Sequence, residues 1–183
     1  MNISVIFTSP NKDGLTAACA DATCQGIQQA GGGATLELLN DLQVGMCQAC
    51  EDGWGTCLTE HFCKVQDGFQ ALHARLCAAD GLVIVTPVYW GEPSESAKAL
   101  LDRLRRCEAT RNAESRLAGK PVIAVAAAGG SGGGMITCLL SLEHWIHHVH
   151  ARTFDLIPVN RWSREYKLLA IREAARSMVT SFP

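Results

Sequence analysis

The sequence of 183 residues has no apolar run close to the ~20 residues needed to span a bilayer, so we do not expect a membrane protein. It also lacks a basic excess. Its formal net charge of -2 argues against nucleic acid as the main partner, because binding of a phosphate backbone normally requires surplus lysine and arginine. A hydrophobic fraction of 48% and a charged fraction of 19% exclude intrinsic disorder and collagen-like repeats.

The first ten residues, MNISVIFTSP, lack the basic segment and the small-residue cleavage site of a secretory signal. We therefore expect a cytoplasmic protein whose thiols are kept reduced. This matters because the chain contains nine cysteines, a high and odd number for its length. A reducing location disfavours a disulfide scaffold.

Short apolar segments alternate along the chain with helical patterns. The predicted strands are 3–7, 34–39, 82–85, 121–127 and 153–159, and the predicted helices are 15–29, 65–79, 94–106, 135–148 and 163–178. This alternation is typical of βαβ units, so we expect an α/β domain spanning residues 1–183, with helices on both faces of a parallel sheet. Residues 41–64 follow no sustained period and form a cysteine-rich loop, which we interpret as functional because long irregular connections are uncommon in compact domains.

The loop after the first strand, residues 9–16, is suited to binding phosphate. In an open parallel sheet, ligands bind beyond the carboxyl ends of the strands. This loop offers two hydroxyls, an amide, a lysine and the free N–H groups of a helix N-terminus. It matches neither G-x-x-x-x-G-K-[ST] nor G-x-G-x-x-G, so hydrolysis of nucleoside triphosphates has no support. An ordinary N-cap turn is the alternative.

Two further loops at strand ends have unusual compositions. The segment 86–91 places Tyr89 next to Trp90, which a planar ligand would explain; a subunit interface is the less favoured alternative. The segment 129–134 contains five glycines, which would let the backbone approach a flat ligand closely. A flexible turn without function is the alternative for this third loop.

Taken together, these loops resemble those of the flavodoxin-like NADPH-dependent FMN reductase family, and the resemblance covers nearly the whole chain. Ser9-Pro10 followed by Gly14 and Thr16 is similar to the FMN-phosphate loop of that family, 86–91 to its isoalloxazine loop, and Asp102-Arg103 to a pair in the following helix. The resemblance implies a three-layer sandwich with a five-stranded parallel sheet in the order 2-1-3-4-5.

The resemblance also implies an FMN site. The residues that would hold the phosphate are Ser9, Asn11, Lys12, Gly14 and Thr16. The residues that would line the ring are Thr86, Pro87, Val88, Tyr89, Trp90, Gly91, Gly129 and Gly130. Asn11 stands where a basic residue is common in the family, which leaves Lys12 to supply the positive charge.

The cysteine-rich loop carries the pattern Cys47-x2-Cys50-x6-Cys57-x5-Cys63 at the position where the iron–sulfur flavoproteins of this family carry theirs. The gap between Cys50 and Cys57 is wider by four residues than is usual in them. Four soft thiolates select an iron–sulfur cluster over hard cations. Structural zinc also takes four thiolates, although only the first pair here has the common C-x2-C spacing. A loop with buried thiols and no metal is the third interpretation.

The remaining cysteines and a histidine group indicate no site. Cys19, Cys24, Cys77, Cys107 and Cys138 fall in predicted helices, where free cysteine behaves as a small core hydrophobe. His144, His147, His148 and His150 lie where a helix ends, and imidazoles interact favourably with the helix dipole there. A solvated helix end is favoured over a metal site.

The resemblance thus implies an oxidoreductase of the iron–sulfur flavoprotein branch, in which FMN is coupled to a [4Fe–4S] cluster held by the four loop cysteines. NAD(P)H is a candidate electron donor, and small molecules or redox proteins are candidate partners. A homodimer or homotetramer is implied as well. A cluster-free NAD(P)H-dependent FMN or quinone reductase is the first alternative, and a zinc-stabilised interaction domain without flavin is the second.

Overall fold

The computed structural model describes residues 1–182. Its strands are β1 Asn2–Phe7, β2 Gly33–Leu38, β3 Gly81–Tyr89, β4 Glu92–Pro93, β5 Pro121–Ala128 and β6 Arg152–Asn160. Its helices are α1 Leu15–Gln29, α2 Thr56–Thr59, α3 Phe69–Ala78, α4 Glu95–Glu108, α5 Met135–His148 and α6 Arg164–Ser181. Short 3-10 turns occupy Leu39–Asp41 and Ala109–Glu114.

The five long strands form one parallel sheet in the order β2-β1-β3-β5-β6, and the short β4 pairs antiparallel with the end of β3. When only the five long strands are numbered along the chain, this order is 2-1-3-4-5. The predicted strand order is therefore confirmed. In the register of the sheet, Val5 of β1 lies between Leu36 of β2 and Val83 of β3.

The core is divided into two halves, one on each face of the sheet. Leu82 and Ile84 of β3 pack with α3, α4 and α5, whereas Val83 and Val85 pack with α1 and α6. Successive side chains of a strand point to opposite faces, so a strand covered on both faces must be apolar throughout. This is why the central strands β3 and β5 are largely continuous apolar runs, and the helices on both faces confirm the three-layer architecture.

The structure differs most from the prediction at three places. The helix predicted at 65–79 begins only at Phe69, whose N–H donates to Oδ1 of Asp67 at 3.0 Å. The strand predicted at 82–85 continues to Tyr89, because Thr86 and Pro87 still pair with β5. The cysteine-rich loop, predicted to be irregular, contains the short helix α2. No helix among residues 1–182 is long and apolar enough to cross a membrane.

A buried charged network ties α3 to the end of α4. Glu108 is 0% exposed, and its Oε1 lies 2.6 Å from Nε2 of His73. Arg116 donates its backbone N–H to Oε2 of Glu108 at 2.7 Å and a guanidinium N–H to Oε1 at 3.1 Å. Burial alone would raise the pKa of this carboxyl, but the hydrogen bonds from His73 and Arg116 outweigh burial and lower the pKa of Glu108 to about 2.

Replacing Glu108 by glutamine should lower the free energy of unfolding at pH 7 by about 3 kcal/mol. A carboxyl whose pKa is lowered in the folded state stabilises the protein above its ordinary pKa of 4.5, and this contribution disappears as the pH falls towards about 2. The difference between wild type and Glu108→Gln should therefore shrink from pH 7 to pH 3. Urea unfolding followed by circular dichroism measures it.

Glu114, an exposed glutamate in the neighbouring 3-10 turn, provides the matched control. Glu114→Gln should change the free energy of unfolding by no more than about 0.5 kcal/mol. If the deficit of Glu108→Gln were the same at pH 7 and pH 3, the ionised carboxylate would not be the source of the stabilisation.

Candidate functional site

The loops after β1, β3 and β5 lie at one edge of the sheet because the strands are parallel, and a network of buried hydroxyls connects the first two. Oγ of Ser94 lies 2.9 Å from the carbonyl oxygen of Thr8 and 3.0 Å from its Oγ1. The N–H of Ser94 donates to Oγ1 of Thr86 at 3.0 Å. All three residues are buried. The first loop, the end of β3 and the start of α4 are therefore held together.

The first loop brings the predicted phosphate residues to the N-terminus of α1. The N–H of Asn11 donates to Oγ of the buried Ser9 at 3.1 Å, and Thr16 is buried in the first turn of the helix. Gly14 occupies the N-cap, and within the described chain no side chain caps it. The first N–H groups of α1 are therefore available to an anion.

Lys12, the predicted phosphate cation, forms an ion pair. Its Nζ lies 2.7 Å from Oδ2 of Asp41, and both side chains are about half exposed. Asp41 is the first residue of the cysteine-rich loop. The positive charge of Lys12 is thus shared with that loop, and the ion pair links the two candidate sites.

The second loop is a tight hairpin turn with an outward aromatic ring. Thr86, Pro87 and Val88 belong to β3, and Tyr89 ends the strand. Trp90 and Gly91 connect β3 to β4 with φ values of +53° and +83°. Positive φ at both central residues defines a type I′ turn. Positive φ is uncommon for a bulky residue, and such conformations concentrate at functional sites. The Trp90 side chain is fully exposed.

The third loop packs directly against the second. Gly134 caps α5 with a φ of +79°, and a Cβ at this position would lie 2.8 Å from Cα of Gly91. Only glycine fits there. The two loops enclose an open cavity of about 550 Å³, lined by Val88, Trp90, Gly91, Ser131, Gly133, Gly134 and Thr137. Gly129 and Gly130 precede this cavity, and a Cβ on either would meet no described atom within 4 Å.

Another exposed aromatic residue near the glycine-rich loop, Trp162, is not among the site residues that the sequence predicts. It follows β6 and lies against Gly132, where a Cβ would overlap its ring. The guanidinium of Arg161 lies 4.4 Å from the centre of the same ring. The only signal for it in the sequence is an aromatic residue two positions after the end of the last strand.

The four predicted ligands, Cys47, Cys50, Cys57 and Cys63, line one pocket. All four are half-buried free thiols. The same pocket is lined by Lys64, Arg103 and Arg106. The structure thus brings the four thiols together and surrounds them with cations.

Backbone conformation explains how Cys50 and Cys57 reach the same pocket despite their wider spacing in the sequence. Ala49 and Glu51, on either side of Cys50, have φ values of +43° and +56°. The N–H of Gly53 then donates to the carbonyl oxygen of Cys50 at 3.0 Å, and a Cβ on Gly55 would lie 3.0 Å from Cβ of Cys50. The extra residues fold back in a turn, so the wider spacing keeps Cys57 in the same pocket as Cys50.

A fifth thiol, Cys107, lies in the same pocket. The sequence predicts a core position for it, and it is fully buried on α4. Burial, with smaller contributions from Cys63 and Cys57, raises the pKa of the Cys107 thiol to about 12. Its position beside the loop thiols could not be read from a separation of more than forty residues in the chain.

The spacing of the thiols is wider than a single zinc ion requires. Within residues 1–182, the only three metal-binding side chains whose ligand atoms all lie within 4.8 Å of one another are His73, Cys77 and Glu108, in the buried network described above. A tetrahedral zinc with Zn–S bonds of about 2.3 Å would place its sulfur atoms roughly 3.8 Å apart. Within the described residues, the loop thiols therefore do not form a closed tetrahedral zinc set.

The cysteine pocket borders the aromatic loop. Cys47 also lines a second open cavity of about 550 Å³, whose wall includes Met46, Tyr89 and Trp90. The loop thiols and the exposed tryptophan therefore face neighbouring spaces that share one cysteine.

The sheet order and the ligand-binding edge define a flavodoxin-like α/β protein. The family described as NADPH-dependent FMN reductase matches residues 1–159, and the chain belongs to this family. It is therefore a flavoprotein oxidoreductase.

Among its relatives, an iron-sulfur flavoprotein from Methanosarcina thermophila is 27% identical over 147 residues, which cover 80% of this chain and 73% of that protein. An iron-sulfur flavoprotein from Methanocaldococcus jannaschii is 25% identical over 145 residues, or 79% of this chain and 71% of that protein. An NAD(P)H:quinone oxidoreductase from Methanothermobacter marburgensis shares the fold, with a TM-score of 0.73, 16% identity and coverage of 97% of this chain and 96% of that one.

Replacing Gly134 by alanine should weaken FMN binding. The added Cβ must displace Gly91 and so separate the second loop from the third. We expect the Kd for FMN to rise about tenfold, which corresponds to roughly 1.4 kcal/mol. Titration of the flavin-free protein with FMN, followed by quenching of flavin fluorescence, measures this change.

Gly119 is the matched control, because its φ of +73° imposes a similar backbone strain while a Cβ there would meet no described atom within 4 Å. Gly119→Ala should leave the affinity for FMN unchanged. Equal affinities for the two variants would show that contact between the loops does not form the FMN site.

Proposed function

We propose that this chain is an iron–sulfur flavoprotein that couples FMN to a [4Fe–4S] cluster held by Cys47, Cys50, Cys57 and Cys63. One observation carries the proposal: the four thiols converge on a pocket that shares Cys47 with the cavity beside Trp90. The names of the archaeal relatives support the same assignment.

The flavin supplies two-electron chemistry when bound, and the chain supplies binding and orientation. Ser9, Asn11, Gly14 and Thr16 would hold the phosphate at the N-terminus of α1, and Lys12 would share its charge between the phosphate and Asp41. The ring would lie against Thr86, Pro87, Val88, Tyr89, Trp90 and Gly91, with Gly129 and Gly130 leaving space for it.

For the cluster, the chain supplies thiolates and compensating charge. A [4Fe–4S] core bound by four thiolates is a net anion, and its burial is favourable only beside cations or hydrogen-bond donors. Lys64, Arg103 and Arg106 line the pocket. Lys64 is paired with Glu51 at 2.8 Å, and Arg106 donates to the carbonyl oxygen of Gly53.

The proposal extends to the partners, the location and the assembly of the protein. NAD(P)H is the proposed electron donor, and small molecules or redox proteins are the proposed acceptors. We propose one domain over residues 1–183, in the cytoplasm, assembled as a homodimer or homotetramer. The exposed Trp90 and Trp162 at the ligand-binding edge support a contact there with a subunit or a ligand.

Anaerobic purification followed by metal, sulfide and flavin analysis tests the proposal. We expect about four iron atoms and four sulfides per chain, with FMN as the extracted chromophore. Cys57→Ser and Cys63→Ser should each abolish most of the bound iron, because a cube needs all four thiolates. Zinc without flavin would establish the interaction-domain alternative, and flavin without metal would establish the cluster-free reductase.

Cys24 offers the matched control, since it is a half-buried free thiol on α1, outside the cysteine-rich loop. Cys24→Ser should retain full iron content. Unchanged iron in both Cys57→Ser and Cys63→Ser would mean that the ligands have been assigned wrongly, with Cys107 as the first replacement to examine.

A further inference from the structure

Arg103 is the most deeply buried cation at the cysteine pocket. It lies on α4, is 1% exposed and lines the pocket together with the four loop thiols. Burying a guanidinium is costly unless it is paired and hydrogen-bonded. The contacts of Arg103 therefore show which groups compensate its buried charge and which group the charge acts on.

One side of the guanidinium is neutralised. Arg103 forms a bidentate ion pair with Asp67, with N–O distances of 2.6 and 3.0 Å. It also donates to the carbonyl oxygen of Gly45 at 3.0 Å and stacks on the ring of Phe69, 4.2 Å from its centre. These contacts fix the plane of the guanidinium and tie both ends of the cysteine-rich loop to α4.

The other side faces the thiols. Nη2 of Arg103 lies 3.3 Å from Sγ of Cys63, and its Nε has no hydrogen-bond partner among residues 1–182. Among the cations that line the pocket, Lys64 and Arg106 pair with a carboxylate and a backbone carbonyl of the loop. Arg103 is the one whose hydrogen bonds, within the described chain, include a cysteine sulfur.

We propose that Arg103 is a positioning residue that holds Cys63 in place by an N–H···S hydrogen bond and raises the reduction potential of the iron–sulfur centre. This inference rests on the proposed function. Reduction adds one electron, supplied by the flavin or the donor, to a group that is already a net anion. A nearby buried cation and an N–H···S bond stabilise the added negative charge more than they stabilise the oxidised form.

Asp67 has the opposite electrostatic effect from Arg103 on the cysteine pocket. Its carboxylate offsets part of the charge of Arg103, and it also accepts the backbone N–H groups of Gly45 and Phe69. Removing the negative charge at Asp67 should therefore shift the potential in the opposite direction from removing the positive charge at Arg103. If the ion pair were purely structural, the two substitutions would not shift the cluster potential in opposite directions.

The test is a reductive titration of the anaerobically purified holoprotein, with the cluster followed by electron paramagnetic resonance and the flavin by absorbance. Arg103→Gln should lower the midpoint potential of the cluster, Arg103→Lys should lower it less because the charge remains, and Asp67→Asn should raise it. The midpoint potential of the flavin serves as an internal reference. Arg103→Gln should also lose iron to a chelator several-fold faster.

Arg105→Gln is the matched control, because it removes the same charge from the same helix at a residue that does not line the cysteine pocket. It should leave the cluster potential unchanged. If Arg103→Gln alone does not fold, Arg103→Gln/Asp67→Asn removes both charges and leaves no unpaired buried ion, and its potential should still be lower because the direct contact with Cys63 is lost.

The outcomes separate the two proposals. Wild-type protein without iron would overturn the proposed function. Iron-loaded wild type and Arg103→Gln with equal cluster potentials would overturn the role of Arg103 while leaving the proposed function intact. A shift of equal size in Arg105→Gln would also overturn it, because the effect would then be one of net charge.

Discussion

Parallel pairing of the five long strands is the constraint on which the rest of the molecule depends. Because every strand runs the same way, each connection must return across a face of the sheet, and the loops after β1, β3 and β5 must emerge at one edge. The hydroxyl network around Ser94 and the contact between Gly91 and Gly134 then turn three separate loops into one surface. Sheet topology thus produces the site, and local chemistry only completes it.

The parts that the sequence predicts well are those governed by local periodicity. The helices α1 and α5 have the predicted limits, since alanine-rich and amphipathic segments end at glycines or polar turns. The sequence predicts a β3 that ends too early, because Thr86-Pro87 resembles a turn although Pro87 still pairs with β5. Arg103, Cys107 and Trp162 were missed as site residues because their importance comes from contacts made only after folding.

The cysteine-rich loop shows why the number of residues between cysteines does not predict how far apart they lie in the structure. Counting residues between cysteines assumes a fixed backbone path, whereas left-handed residues such as Ala49 and Glu51 let the chain reverse within a few positions. The widened gap looks like a departure from the family when written as a pattern. In three dimensions the added residues form a turn beside Cys50, and α4 provides the wall that the loop closes against.

The type I′ turn at Trp90 and Gly91 has a consequence for binding thermodynamics. Its backbone is already fixed by the pairing of Tyr89 with Glu92, so a ligand that stacks on the tryptophan has only the side-chain rotation left to immobilise. That ordering costs on the order of 0.5–1.5 kcal/mol, much less than folding a mobile loop over the ligand. The edge is thus preorganised, and a flat ring that stacked there would cost little conformational entropy on contact.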